Sequence, residues 1–259
     1  MFNIKNYFNV NTLLVFIFSF NFFYFANADD SLKDTIEITA NKNMVWDQSE
    51  NKIFAYGGAK VKSNKFSLNA EKITGFYEGN IGKGNIKNLT ATINANFISQ
   101  KTSIKANQIN YDFINDEVNV KGNNIFMEFK EGSINSDKSL RFNNRDQKIF
   151  VNGNVNIKIK GKGDIKAQSV LIDINTTGNI SNLKASKDVE IFLNKLQQKV
   201  IADEANFDIQ NSKINFLGNV VLYQGKSFLK GDKAFVDLKN GISRITSNKE
   251  KSVSGFFKK

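Results

Sequence analysis

Cysteine, histidine and proline are absent from all 259 residues. Without histidine or cysteine there is no Ser-His-Asp or Cys-His nucleophile, and no zinc site built on those ligands. Without cysteine no disulfide can staple the fold, so its stability must come from buried area. Arginine is nearly missing as well: Arg141, Arg145 and Arg244 stand against 33 lysines. Forked contacts to phosphates and base edges favour arginine, so nucleic acid is a poor partner. The formal charge of +11 still suits an anionic partner, such as a phosphorylated glycolipid or a membrane face. No segment repeats its apolar residues with a helical period.

What is present begins with a leader. Lys5 precedes an apolar run, Leu13 to Phe25, and Ala26-Asn27-Ala28 is a small-x-small cleavage site, so residues 1–28 read as a signal peptide cut after Ala28. The run is shorter than the roughly 20 residues a spanning helix needs; a retained anchor is the competing reading. Beyond it no stretch has 18 apolar residues in a row, which excludes a helical membrane-spanning protein. Export without disulfides fits a bacterial periplasm.

Residues 29–247 repeat themselves. A small residue, usually followed by a polar one, recurs at Ala40, Ala70, Ala106, Ser136, Ala167, Ala202 and Gly231, and Gly57-Gly58, Gly122-Asn123, Gly153-Asn154 and Gly218-Asn219 fall between them. Seven imperfect units of about 30 residues describe a stack in which each layer buries its apolar face on its neighbours. Within each unit apolar residues alternate with polar ones at the two-residue period of half-buried strands. The alternating sets are Ile36 and Ile38; Phe66 and Leu68; Ile109, Tyr111 and Phe113; Val118 and Val120; Ile125, Met127 and Phe129; Ile149 and Val151; Val155, Ile157 and Ile159; Ile172 and Ile174; Ile191; Phe207 and Ile209; Ile214 and Phe216.

The interrupting glycines mark bulges or bends where the chain passes to a second sheet. Asn- and Asp-rich segments such as Asn143 to Asp146 and Gln210 to Ser212 read as hairpin turns. Gly161-Lys162-Gly163 lacks the spacing of a phosphate loop and reads as a turn. Gly75 to Asn94, crowded with glycine, reads as a long loop or distorted turn. Residues 248–259 form a basic tail whose Phe256-Phe257 invites three readings: membrane contact, a docking strand, or a frayed end. Carboxylates recur at equivalent places, as Asp203 and Asp232 do, whereas a catalytic pair occurs once. The chain is therefore read as no enzyme, with no cofactor and no metal.

For any single apolar position the ordinary core is the default. Together they describe a pair of facing sheets with an oily interior; if the sheets splay, that interior accepts acyl chains at about 0.8 kcal/mol per buried methylene. At 4.8 Å per layer, seven layers reach only roughly 34 Å.

Ile38-Thr39-Ala40-Asn41-Lys42, Trp46-Asp47, and Ile53 to Gly58 resemble the opening of the OstA-like domain of the LptA lipopolysaccharide-transport family, and Tyr223 to Gly241 resembles its closing motif. The similarity runs over most of Ile36 to Thr246. The resemblance implies an all-β, elongated, antiparallel folded-over β-jellyroll built from about seven two-strand repeats and open at both ends. It also implies a periplasmic protein that holds lipid A in its interior and bridges inner- and outer-membrane transport components by edge-strand pairing, with head-to-tail copies possible. The alternating residues named above would line that interior. Three rivals stand beside it: a membrane-anchored LptC-like component, a parallel β-solenoid surface protein, and a glycan-cleaving enzyme.

Overall fold

A computed structural model describes residues 35–79, 85–99, 102–248 and 252–258; the leader lies outside them. Asp34–Lys259 is one compact unit. Its strands are β1 (Glu37–Thr39), β2 (Asn43–Asp47), β3 (Lys52–Lys62), β4 (Phe66–Glu78), β5 (Asn85–Ser99), β6 (Thr102–Asp112), β7 (Glu117–Lys121), β8 (Ile125–Phe129) and β9 (Gly132–Ser136). They continue with β10 (Ser139–Asn143), β11 (Lys148–Ile159), β12 (Gly163–Ile174), β13 (Ile180–Leu193), β14 (Gln198–Asp208), β15 (Lys213–Gln224), β16 (Ser227–Asp237), β17 (Ile242–Thr246) and β18 (Ser254–Phe256). The fold is all-β, and every recorded pairing is antiparallel. That removes the parallel β-solenoid.

The pairing divides each long strand in two. One wall runs β2, β3, β4, β5, β6, β7, β10, β11, β12, β13, β14, β15, β16, β17, using the halves of the long strands that adjoin Asp47, Asp112, Asp208 and Asp237. The other runs β1, β3, β4, β5, β6, β8, β9, β11, β12, β13, β14, β15, β16, β18, using the remaining halves. The sheet is thus folded along its middle into a trough with a crease on one side and a mouth on the other.

The crease explains the sequence repeat. Strands alternate between a straight kind and a bulged kind in which two residues oppose one. Register shifts put Gly57-Gly58, Gly153-Asn154 and Gly218-Asn219 opposite Glu71, Gln168 and Asp203. At the bulges Gly153 and Gly218 have φ of +85° and +75°, and Asn154 and Asn219 also lie at positive φ. A Cβ on Gly218 would stand 2.2 Å from Asp203 Oδ2, and that carboxylate accepts from Asn219 Nδ2 at 2.9 Å. Asp137 takes the Asn154 amide in the same way. The small residue of each unit sits beside this corner on the inside, where the walls are closest: Ala70, Ala106, Ala167 and Ala202 are buried. Farther from the crease the side chains lengthen, as in Ala202, Ala205 and Phe207, or Ala70, Leu68 and Phe66.

The Asp that ends several units closes a turn on the first wall. Asp208 accepts from the Asn211 backbone N–H at 2.9 Å and side chain at 2.7 Å, and Asp237 does the same for Asn240. The Asn211 amide, then its N–H, hold the Asp208 carboxyl below the usual range; the Asn240 N–H leads for Asp237. These repeated carboxylates are turn builders.

Three expectations change. Gly75 to Glu78 lie in β4, and Asn85 to Asn94 in β5, so of the described residues from Gly75 to Asn94 all but Gly79 are strand, with a shift between Phe76 and Tyr77. Cross-strand pairing overrides the poor β-propensity of glycine. Within the tail, Ser254–Phe256 pairs with Phe228 to Lys230. Length also changes: each unit supplies two strands to each wall, so the stack reaches about 60 Å at 4.8 Å per strand.

Candidate functional site

All of the alternating residues face the trough. Phe66, Leu68, Ile109, Val118, Val120, Ile125, Met127, Ile149, Val151, Val155, Ile157, Ile159, Ile172, Ile191, Phe207, Ile214 and Phe216 are buried in one continuous core. Ile36, Ile38, Tyr111, Phe113, Phe129, Ile174 and Ile209 are half-buried and pack against it. The structure does not treat them alike, because the mouth is shut in one half and open in the other.

In the C-terminal half, turns from the two walls touch. Lys162, in the Gly161-Lys162-Gly163 turn of the second wall, crosses to the first, where its Nζ donates to Ile209 O at 2.9 Å and Ser212 Oγ at 3.2 Å. Desolvation lowers its pKa, against an upward pull from Asp208. Lys195 Nζ donates across the mouth to Lys239 O at 3.0 Å, and Ser243 Oγ to Gln198 Oε1 at 2.9 Å. Behind these latches Phe216 and Ile214 are wholly buried and Phe207 nearly so.

In the N-terminal half the walls stand apart around a cleft of about 540 Å³. Ile36, Phe66, Phe97, Tyr111, Phe113, Val118 and Phe142 form its apolar lining. The rings wedge the walls open: Phe66 lies 5.4 Å from Phe97 and 4.9 Å from Tyr111, and Tyr111 lies 4.5 Å from Phe113, centre to centre. Tyr111 Oη donates to Asp116 Oδ1 at 2.8 Å, which turns the one polar tip of the cluster toward the rim. The rim itself is polar and carries both signs: Ser63, Lys65, Ser99, Asp116, Asn144 and Arg145. Arg145 donates to Ile114 O, so its guanidinium is held at this edge. Beyond Thr102 a second bay of about 310 Å³ opens, lined by Met127, Phe129, Ile149, Ile174 and Ile180 under Lys130, Glu131 and Asn179.

Of the alternating residues, then, Ile36, Phe66, Tyr111, Phe113 and Val118 meet in the first cleft, and Met127, Phe129, Ile149 and Ile174 in the second. The rest form the core between and beyond them. Phe97, Phe142 and the rim cations Lys65 and Arg145 are additions from the structure. Phe97 and Phe142 carried the same alternation in the sequence; no local signal marks Lys65 or Arg145, which are brought together by pairing over distant segments. Among the described residues no group of acids could hold a metal ion.

The family model described as "LptA/(LptD N-terminal domain) LPS transport protein" matches residues 133–241 and again 199–255. Together the two matches cover residues 133–255, just under half of the chain, and they agree with the resemblance drawn from the sequence. The overlap at 199–241 is what a repeated unit gives when one pattern is laid on it twice. This LptA-like stretch ends where the first cleft begins, touching it only through Phe142, Asn144 and Arg145. Solved structures also match, among them LptH from Pseudomonas aeruginosa, titled the LptA homologous periplasmic component of the conserved lipopolysaccharide transport device. It shares 9% identity over 49% of this chain and 94% of its own, with a TM-score of 0.44. None of the curated proteins compared gives a significant match.

Proposed function

We propose that this chain is a periplasmic carrier of lipopolysaccharide that receives lipid A acyl chains in the aromatic cleft and shields them from water. The carrying observation is the cleft itself: an apolar lining continuous with the core, beneath a polar rim that includes Lys65 and Arg145. Acyl chains gain about 0.8 kcal/mol per buried methylene there, while phosphates and sugars stay at the wet rim. The transport-family match supports the same reading. Nothing in it needs a cofactor or a catalytic group.

The bridging role rests on the ends of the stack. Among the described residues β1 and β2 pair only with β3, and β17 and β18 only with β16, so each end offers unpaired backbone to a neighbour's strand. Met44, Val45 and Trp46 on β2 are exposed beside that edge. Inner- and outer-membrane transport proteins, or further copies head to tail, would add there.

Photo-crosslinking in cell envelopes tests the site. A photoreactive residue at Phe113 or Phe142 is expected to give lipopolysaccharide adducts, and one at outward-facing Lys158 none. Adducts at Lys158 with none at the cleft positions would overturn the reading. Ile157 and Phe216, sealed behind the walls, are expected to label only if the trough opens farther.

A further inference from the structure

The outer face of the second wall carries mainly lysine, serine and asparagine along most of its length, as at Lys60, Ser67, Asn69, Asn96, Ser103 and Asn156. At its C-terminal end the character changes. Strand register places Phe192, Lys199, Tyr223, Phe228 and Phe256 in one row across five strands. The next row reads Glu190, Ile201, Val221, Lys230 and Ser254. These side chains point outward, since Ile191, Leu193, Val200 and Leu222, their neighbours along the strands, are buried.

The rings form a connected surface. Tyr223 lies 6.0 Å from Phe228, and Phe228 stacks on Phe256 at 5.7 Å and 20°. Phe256, which ends the row, is 50% exposed; Phe257 lies on the other side of β18, with Leu222 and Leu229. A shallow depression of about 400 Å³ lies between Phe192 and Tyr223, floored by Ile201. Lysines frame it. Lys230 Nζ stands 5.0 Å from the Phe228 ring, and Lys226 and Lys258 are exposed beside it. Within and beside these two rows the carboxylates are Asp164, across from Phe192, and Glu190, already held between Lys199 at 2.8 Å and Lys166 at 3.8 Å; Asp188, Asp203 and Asp232 lie one row nearer the crease, where Asp203 and Asp232 accept from Asn219 and Asn248.

We infer that this face docks on an anionic membrane surface. Its occupant must be flat, because the row lies on a sheet face that strand addition at an edge cannot cover. It must also be acidic, because in and beside these rows Lys199, Lys226, Lys230 and Lys258 stand against Asp164 and Glu190, the latter already neutralised. A layer of anionic headgroups meets both demands: aromatic rings seat at the boundary of headgroup and acyl chain, and lysine stems lie along apolar surface with their ammonium groups in water. The cleft lies toward the other end of the stack, so this docking is separate from acyl-chain binding.

Co-sedimentation of the chain from Asp29 onward, which contains the whole compact unit, with vesicles free of lipopolysaccharide tests the inference. It should sediment with vesicles of phosphatidylethanolamine and phosphatidylglycerol and much less with phosphatidylcholine alone. Raising salt to about 0.5 M should weaken the binding. Phe228→Ser with Phe256→Ser should lower the bound fraction about tenfold, while Phe126→Ser, an outward ring elsewhere on the same wall, should not. Should the double variant fail to fold, as judged by its thermal melt, Lys226→Ala with Lys230→Ala takes its place and must weaken binding. No binding to anionic vesicles, equal binding to both lipids, or indifference to these substitutions would overturn the inference. So would a lipid-free dimer that the same substitutions dissociate, since the face would then serve a second copy.

Discussion

Ile93 occupies the bulge of β5 with φ +65°, and Lys187 does the same in β13 with φ +67°. Both do without glycine what Gly153 and Gly218 do with it, which is why the glycine signal marked only some corners. A β-branched residue at positive φ is strained by about 1–2 kcal/mol, and Ile93 is 59% exposed, so little burial is at stake. Ile93→Gly should therefore raise the unfolding free energy in urea by roughly 0.5–1 kcal/mol. Gly218→Ala should lower it by about 1–2 kcal/mol, because it adds a Cβ at positive φ against Asp203. Acid should act through the turn carboxylates. Asp47, Asp208 and Asp237 are depressed from 3.8, Asp47 chiefly by the Ser49 hydroxyl. A depressed carboxyl stabilises the fold above its unfolded value, and that contribution disappears as pH drops through the folded one. The melting temperature should fall below about pH 4, and Asp208→Asn should flatten part of that limb.

At the scale of elements, the turns decide where the trough is open. Lys162→Ala removes one latch; amide exchange at 209–213 should speed up while the crease of β14 stays protected. No change there would mean that side-chain packing alone holds the mouth. The two halves should also differ in their response to truncation. Phe216→Ala, in the sealed half, should cost about 3–5 kcal/mol. Phe113→Ala, beside the cleft, should cost less than half as much, because the site is already partly hydrated. The strands themselves were legible in the sequence, since a two-residue period needs no partner to be seen. The turn of Lys162 was legible only as a turn: what a lysine reaches across the mouth depends on which hairpin faces it, some 47 residues away.

For the molecule as a whole, the seven units of the sequence are seven pairs of strands, one straight and one bulged. Ala40, Ala70, Ala106, Ser136, Ala167, Ala202 and Gly231 mark the straight member of each. Counting two-strand units gave the topology, but allowing one 4.8 Å layer per unit gave half the length. Small-angle scattering of the folded unit should show a rod with a stack dimension near 60 Å, against roughly 34 Å for one strand per unit. The oily interior was also legible. Its partition into a cleft and a sealed region was not, because that follows from where aromatic rings such as Phe66, Phe97 and Tyr111 converge from distant segments.

The alternation at the crease carries one more consequence. Among the described residues the stack opens on a straight strand, split into β1 and β2 around Ala40-Asn41, and closes on β17 and β18, which stand in the place the alternation assigns to a bulged one. Its two extremities are therefore of opposite parity. Another molecule can continue the odd–even rhythm only by presenting its beginning to this one's end, so any filament these molecules build has a built-in arrow, written by backbone geometry before any side chain is consulted.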